Sequence, residues 1–346
     1  MHFIALHMQK PINTGILSFG MSGKLFHSPF LAAHPGFNLM AVAERSEKKA
    51  KLHFPDIISY NSVEELIENP DLELVVVNTP NYTHFEFALK ALRAGKNVLI
   101  EKPFAVNSEE AEILFSEAAA AGLYILPYQN RRYDSDFLSV KEVLASGKLG
   151  RMVEAHLRYD RYRYGIGPKV AKETPMPGSG LLFDLGPHML DMVLELFGTP
   201  LEWTKTLGHY RPGTQVDDYA HIHLKYPGQV QVFVTISMLV ADVQPAFILN
   251  GTRGSYIKER SDIQEQQLLE NMHPDHPSFG IETAGKEGLL TQIAEDGTRT
   301  QTLVPTLKSS YLNLFEAVYQ TIRNGAPYPV TKDQVLQQIA ILTHDS

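Results

Sequence analysis

Apolar and polar positions follow two alternating periods along the first third of the chain. INTGILS (12–18), NLMAVAER (38–45), LELVVVNTP (72–80), NVLIE (97–101) and LYILPY (123–128) are short apolar runs that read as strands. The valine-rich run at 72–80, stopped by Pro80, suits a strand covered on both faces of a parallel sheet. Helical stretches lie between the runs: about 24–33, a charged one beginning near Glu47, a short one at 63–68, then 83–94 closed by Gly95 and 108–121 closed by Gly122. A glycine at each of those ends supplies a left-handed C-cap. Alternating strand and helix imply right-handed crossovers, so residues 1–130 are expected to form a doubly wound parallel α/β domain.

The pattern changes after residue 130. A helix (136–146) leads to MVEAHLRYDRYRY (152–164), whose alternation predicts a half-exposed strand. A loop rich in Pro and Gly follows at 165–180, then a long helix at about 187–197. Strand-like segments come next at 201–209, 217–226, 229–239, 245–250 and 255–258, with YPGQ (226–229) as a hairpin turn. Helices at 309–324 and 332–343 end the chain. Successive strands without helices between them predict an α+β domain with an antiparallel or mixed sheet over residues 131–346.

Composition narrows the partners. The chain of 346 residues carries 31 Lys and Arg against 39 Asp and Glu, a net charge of −8, which favours neither nucleic acid nor an anionic membrane. Cysteine is absent, and with it disulfides, thiolate-bound zinc, iron–sulfur clusters and thiol nucleophiles. No apolar run approaches the ~20 residues that span a bilayer. The opening MHFIALHM lacks the basic start, long apolar stretch and cleavage site of a signal peptide, so a soluble, cytoplasmic setting is expected.

The candidate chemistry gathers at strand ends. Ser18-Phe19-Gly20-Met21-Ser22-Gly23 lies between a strand and a helix, with the acidic Glu44 about twenty residues on, as in a dinucleotide fingerprint. Ser18 replaces the first glycine of that fingerprint, and a plain strand-to-helix glycine turn is the alternative. Thr79-Pro80-Asn81, with His84 after it, follows the third long strand, where open sheets bind ligands; a proline turn with an N-cap explains it equally. Lys102 follows Glu101 at the end of the next strand and precedes Pro103, whose bond would aim the lysine if cis; a surface lysine is the alternative.

GSGLLFDLGPHMLDMVLELFG (178–198) is the most informative stretch. Pro187 suits a helix's first turn and Gly198 its end, which puts Asp184 just before the helix. Leu185, Met189, Met192, Val193, Leu196 and Phe197 make an apolar face, and His188, Asp191 and Glu195 the opposite stripe. Glu195 is expected in solvent. A histidine oriented by a carboxylate four residues earlier is a good proton acceptor near neutral pH, so Asp184 and His188 stand apart. Asp184, His188 and Asp191 as metal ligands are the weaker reading, and His221 and His223 are expected to be structural. Asn130-Arg131-Arg132 would contact substrate or bridge the domains, and the alternating Tyr159, Arg161 and Arg163 suggest a sheet face or interface.

Together the glycine turn, TPN with its histidine, EKP and D-x-x-x-H resemble the glucose–fructose oxidoreductase / inositol dehydrogenase (Gfo/Idh/MocA) family, in order and spacing over nearly the whole chain. PYQNRRYDSDF (127–137) and the YDRYR strand are similar to its NADP-preferring scyllo-inositol dehydrogenase branch. The resemblance implies a Rossmann domain, a C-terminal domain with a large, open, mostly antiparallel sheet, and homodimers through that sheet, with a tetramer as the alternative. It implies Lys102, Asp184 and His188 as the catalytic set, with Asn130 and Arg132 joining them at the substrate. It places NAD or NADP on Phe19, Gly20, Met21, Ser22, Gly23, Glu44, Arg45, Thr79, Pro80, Asn81, His84, Glu101 and Lys102, with no metal. Glu44 favours NAD, since a carboxylate bonds ribose hydroxyls and repels a 2′-phosphate, while Arg45 would stack on adenine or pair with that phosphate. The expected activity is oxidation of a secondary alcohol in a small polyol or sugar. The rivals are a dinucleotide-binding regulator without catalysis and, more distantly, a metal-dependent hydrolase.

Overall fold

A computed structural model describes residues 10–168 and 170–343; the opening MHFIALHM lies outside them. In chain order the first elements are β1 (Ile12–Ile16), α1 (Ser28–Ala33), β2 (Phe37–Ala43), β3 (Ile58–Tyr60), α2 (Val63–Ile67), β4 (Leu74–Val77), α3 (His84–Arg93), β5 (Asn97–Ile100), α4 (Ser108–Ala120) and β6 (Ile125–Pro127). There follow α5 (Ser135–Ala145), β7 (Met152–Asp160), α6 (Val170–Glu173), α7 (Gly180–Phe197), β8 (Glu202–Gly208), β9 (Tyr219–Lys225), β10 (Gln231–Ser237), β11 (Phe247–Gly251) and β12 (Gly254–Lys258). The chain ends with α8 (Ile263–Leu269), β13 (Gly288–Ile293), β14 (Arg299–Val304), α9 (Leu312–Asn324) and α10 (Lys332–Thr343).

Two compact units result. The first takes residues up to Gln129 together with Gln267–Pro277 and Ser310–Lys332, and the second takes the remainder. The second unit is therefore not the contiguous stretch 131–346: α9 belongs with the first.

Six parallel strands, in the order β3-β2-β1-β4-β5-β6, form the sheet of the first unit. β4 sits inside it with all four side chains buried, which is why its sequence is unbroken Leu-Val-Val-Val. Gly95 and Gly122 follow α3 and α4 with φ of 75° and 65°, the left-handed caps expected of them. α9 packs its Phe315 on Phe30 with ring centroids 5.8 Å apart.

The second unit holds eight strands in the order β14-β13-β12-β11-β7-β10-β9-β8. β10 and β7 pair parallel and the others antiparallel, so the sheet is mostly antiparallel. Alternation sorts its two faces. Ala155, Leu157, Ile222, Leu224, Val232 and Val234 pack with Leu185, Met189 and Val193 of α7. His156, His221 and His223 lie on the half-exposed face, their rings stacked around Phe233 at centroid distances of 4.8, 6.0 and 4.6 Å. β3, α6, α8, β13 and β14 have no counterpart in the sequence reading. β14 is a largely exposed edge strand whose residues carry too little apolar alternation to announce it.

Candidate functional site

In the first unit the turn after β1 leads into a π-helical turn (Gly23–His27) and then α1. A Cβ on Gly23 would lie 2.0 Å from the Ser18 carbonyl oxygen, so this glycine is required where the helix meets the strand end. Gly20 is different: the nearest atom to its Cβ would be Ser18 Oγ at 3.4 Å, leaving open space on that side. Ser18 makes up for the missing first glycine. Its hydroxyl accepts the Gly20 amide at 3.3 Å and its carbonyl accepts Asn78 Nδ2 at 2.8 Å. Asn78 Oδ1 is buried and unpaired beside this turn. A bare glycine edge and an orphaned buried oxygen fit a dinucleotide that brings its own donors. Met21 stands exposed at the turn, and Phe19 packs against His53 and Phe54.

Glu44 is engaged within its own unit. Its Oε1 accepts the amides of Lys49 (2.8 Å) and Ala50 (3.1 Å), and its Oε2 accepts the Ser59 hydroxyl (2.7 Å). The buried carboxylate thus folds the 45–50 segment back on β2, with both oxygens taking donors from the fold. Lys48 caps the same segment by donating to the carbonyls of Glu44, Ser59 and Tyr60. Arg45 is exposed there.

Three further candidate contacts make ties within the first unit. His84 is buried, with Nδ1 2.8 Å from the Pro103 carbonyl and Nε2 2.8 Å from that of Thr79. It fastens the ends of β4 and β5 together, and burial pushes its pKa below the usual histidine value. Glu101 Oε1 accepts Ser22 Oγ and His27 Nε2, each at 2.9 Å. Burial acts to raise the Glu101 carboxyl, but the His27 hydrogen bond and charge, then Lys102 and Ser22, outweigh it and hold it at about 2. Thr79, half-buried, accepts the Thr83 hydroxyl at 2.7 Å, and Pro80 and Asn81 open the turn that leads into α3. Lys102 is half-buried at the end of β5, before a cis bond to Pro103.

The second unit centres on α7, which starts at Gly180 and so corrects the expected start near 187. Asp184 lies inside the helix and Pro187 in its interior. The cap comes from far along the chain: Leu181 N donates to the Asp217 carbonyl at 3.0 Å and Leu182 N to Asp217 Oδ2 at 2.6 Å. Only glycine fits at 180, since its φ is +88° and a Cβ would strike Asp217 Oδ1. The Pro187 carbonyl accepts Gln338 of α10 at 2.8 Å. His188 is buried, and Asp184, one turn before it, is half-buried and ion-paired with Lys172.

Asp191 and Glu195 are not a solvated stripe. Arg132 grips Asp191 with two bonds, 2.7 and 2.9 Å, and Glu195 with a third at 2.7 Å; Lys141 holds the other Glu195 oxygen at 2.6 Å. This removes Asp191 from the metal reading, and among the described residues no group of three or more His, Asp or Glu is arranged to hold a metal. Arg132 is itself buried, its guanidinium tied to Asp191 and Glu195. Asn130 and Arg131 are buried too, Arg131 pairing with Asp134 at 3.0 Å and with Asp262. The sequence reading missed Lys172 and Asp217, and a lysine inside the 165–180 loop was the only local signal for the first. No helix among the described residues is long and apolar enough to cross a membrane.

Two family models match the chain: "Oxidoreductase family, NAD-binding Rossmann fold" over residues 12–128 and "GFO/IDH/MocA C-terminal domain" over residues 137–257. Among curated relatives, the scyllo-inositol 2-dehydrogenase (NADP(+)) IolW of Bacillus subtilis is 33% identical, covering 96% of this chain and 92% of its own. The trans-1,2-dihydrobenzene-1,2-diol dehydrogenase of Bos taurus is 32% identical over 83% of this chain and 88% of its own. A crystal structure of an oxidoreductase from Bacillus cereus superposes with a TM-score of 0.88 at 30% identity, covering 96% of this chain and 94% of that one.

Proposed function

Since the chain belongs to the Gfo/Idh/MocA family of oxidoreductases, we propose that it is an NAD(P)-dependent dehydrogenase oxidising a secondary alcohol of a cyclitol or sugar. The nicotinamide, when bound, supplies the hydride acceptor; the chain's own residues handle the proton and the charge. His188 takes the hydroxyl proton at its imidazole, which does so near neutral pH without extreme tuning. Asp184, one turn earlier, orients that ring or bonds the neighbouring hydroxyl. Lys102 sets positive charge beside the oxygen as it becomes alkoxide-like, a role whose loss typically costs ~10²–10³ in rate.

The observation that carries this reading is the glycine turn with no room for a side chain at Gly23, in the same chain as an Asp184/His188 pair one turn apart on one helix. Relatives named for an inositol and for a ring diol support the substrate class. For the cofactor, the inward turn of Glu44 takes away the ground for preferring NAD, and an exposed Arg45 suits a 2′-phosphate. We therefore assign NADP as the preferred form. Assembly is proposed as a homodimer through the half-exposed face of the eight-stranded sheet, and a light-scattering mass of one chain would refute it.

The test is absorbance at the reduced-nicotinamide band with both cofactors and a panel of polyols, starting with inositol isomers. At least one should turn over, with higher kcat/KM for NADP than for NAD, and Arg45→Ala should shrink that ratio. Lys102→Ala and His188→Ala should each lower turnover by at least about tenfold to a hundredfold while cofactor still binds. Cofactor binding without turnover of any polyol would leave a regulator and sink the dehydrogenase reading.

A further inference from the structure

The helix after the glycine turn does not begin as a regular α-helix. Gly23–His27 form a π-helical turn, closed by the Ser28 amide on the Gly23 carbonyl, before α1 starts. Such turns are rare and concentrate at functional sites. This one is held by groups outside its own helix. Tyr128, just past β6, donates its hydroxyl to the Phe26 carbonyl at 2.7 Å. Glu101, just past β5, accepts His27 Nε2 and Ser22 Oγ on one oxygen, each at 2.9 Å, and the Lys102 amide on the other at 3.2 Å. The ends of two neighbouring strands of the first unit thus clasp the turn.

The π-turn accounts for one carboxylate oxygen meeting both side chains. Residues five apart on an α-helix point about 140° away from one another. A turn closed by an i→i+5 bond brings them round to the same side, so Ser22 and His27 both reach Glu101. Packing alone does not call for this. The His27 side chain is 0% exposed, its ring 4.4 Å from that of Tyr128 and 6.4 Å from that of Phe315, and an apolar side chain would fill the place without polar cost. Its Nδ1 is buried with no hydrogen-bond partner among the described residues, which works against folding.

We infer that His27 is a positioning residue for dinucleotide binding: it holds the Glu101 carboxylate, which holds Ser22 and with it the turn from Gly20 to Gly23. The inference rests on the reading of that turn as the dinucleotide site. Ser22 lies between Met21 and the Gly23 that admits no Cβ, so a hydroxyl fixed there fixes the direction in which the helix leaves the strand.

The test is dinucleotide affinity of the full chain, read by fluorescence titration with NADP and with NAD. His27→Met keeps an apolar filling and removes the donor, whereas His27→Gln keeps an amide N–H where Nε2 stood. Losing a hydrogen bond to a charged group costs roughly tenfold in affinity, so His27→Met should weaken the preferred dinucleotide by about that factor. His27→Gln should recover most of the loss, which a need for ring packing alone would not produce. Ser22→Ala should weaken affinity as well, and adding His27→Met to it should cost little more, because both act through one carboxylate. Circular dichroism melts establish that each variant is folded at the titration temperature. Should His27→Met not be, His27→Asn, whose shorter amide sits at the Nδ1 end of the ring, replaces it as the variant without the Glu101 bond. Parental affinity in that variant, or losses that multiply with Ser22→Ala, overturns the proposal and leaves the dinucleotide site standing. A parent protein that binds neither dinucleotide removes the site and the proposal with it.

Discussion

Arg132→Met tests whether the Arg132–Asp191 cluster is structural or faces substrate. The substitution keeps an unbranched apolar stem but removes a guanidinium that makes two bonds to Asp191 and one to Glu195. Glu195 keeps Lys141 at 2.6 Å. Asp191, its side chain 3% exposed, is left without the guanidinium that pairs with it directly. Breaking a buried pair from one side costs about 3–5 kcal/mol. For a unit of this size each kcal/mol moves the midpoint by ~2–4 °C, so the thermal transition should fall by roughly 10 °C. Arg132→Met combined with Asp191→Leu removes both charges and should recover most of that loss, since an apolar replacement of a buried pair is often neutral or better. Circular dichroism melts and urea titrations of the three proteins supply the numbers, with KM measured on the same samples. A single variant that melts with the parent but binds substrate poorly would refute the reasoning and return Arg132 to the substrate.

Gly23→Ala forces a Cβ to 2.0 Å from the Ser18 carbonyl and should cost about 1–3 kcal/mol, with dinucleotide affinity, read by fluorescence titration, weakened at least tenfold. Gly20→Ala meets only Ser18 Oγ at 3.4 Å, so the fold should tolerate it; equal destabilisation by both would refute this account of the turn. The Glu101 carboxyl sits at about 2 in the fold, below its ordinary 4.5, so the stabilisation it gives is present above the ordinary value and is lost as pH falls from about 4.5 to about 2. At 1.36 kcal/mol per unit this is roughly 3 kcal/mol, and the stability gap between parent and Glu101→Gln should close over that range. Parallel losses in the two proteins would contradict it.

Much of the architecture was legible because its determinants are local. An unbroken Leu-Val-Val-Val run needs cover on two faces, and a glycine after a helix needs a left-handed cap, wherever the chain goes. Asp184 and His188 were singled out by their four-residue spacing, but the sequence reading set Asp184 before the helix, and their place on one helical turn follows from the longer α7. What the sequence could not supply depends on partners far along the chain. α7 begins seven residues earlier than its proline suggests, because Asp217, 35 residues from Leu182, caps it. Arg132 looked like a ligand for substrate until Asp191, 59 residues away, and Gln334, 202 away, came into reach. Glu44 stands at the position of a ribose acceptor, yet its bonds to Lys49, Ala50 and Ser59 could not be read from the sequence, since an acidic side chain at a strand end bonds whichever donors the fold turns towards it. Periodicity fixes which residues share a face; only the tertiary fold decides which charge meets which, because hydrogen bonds and ion pairs act over a few ångströms and the chain separation between partners carries no signal of its own.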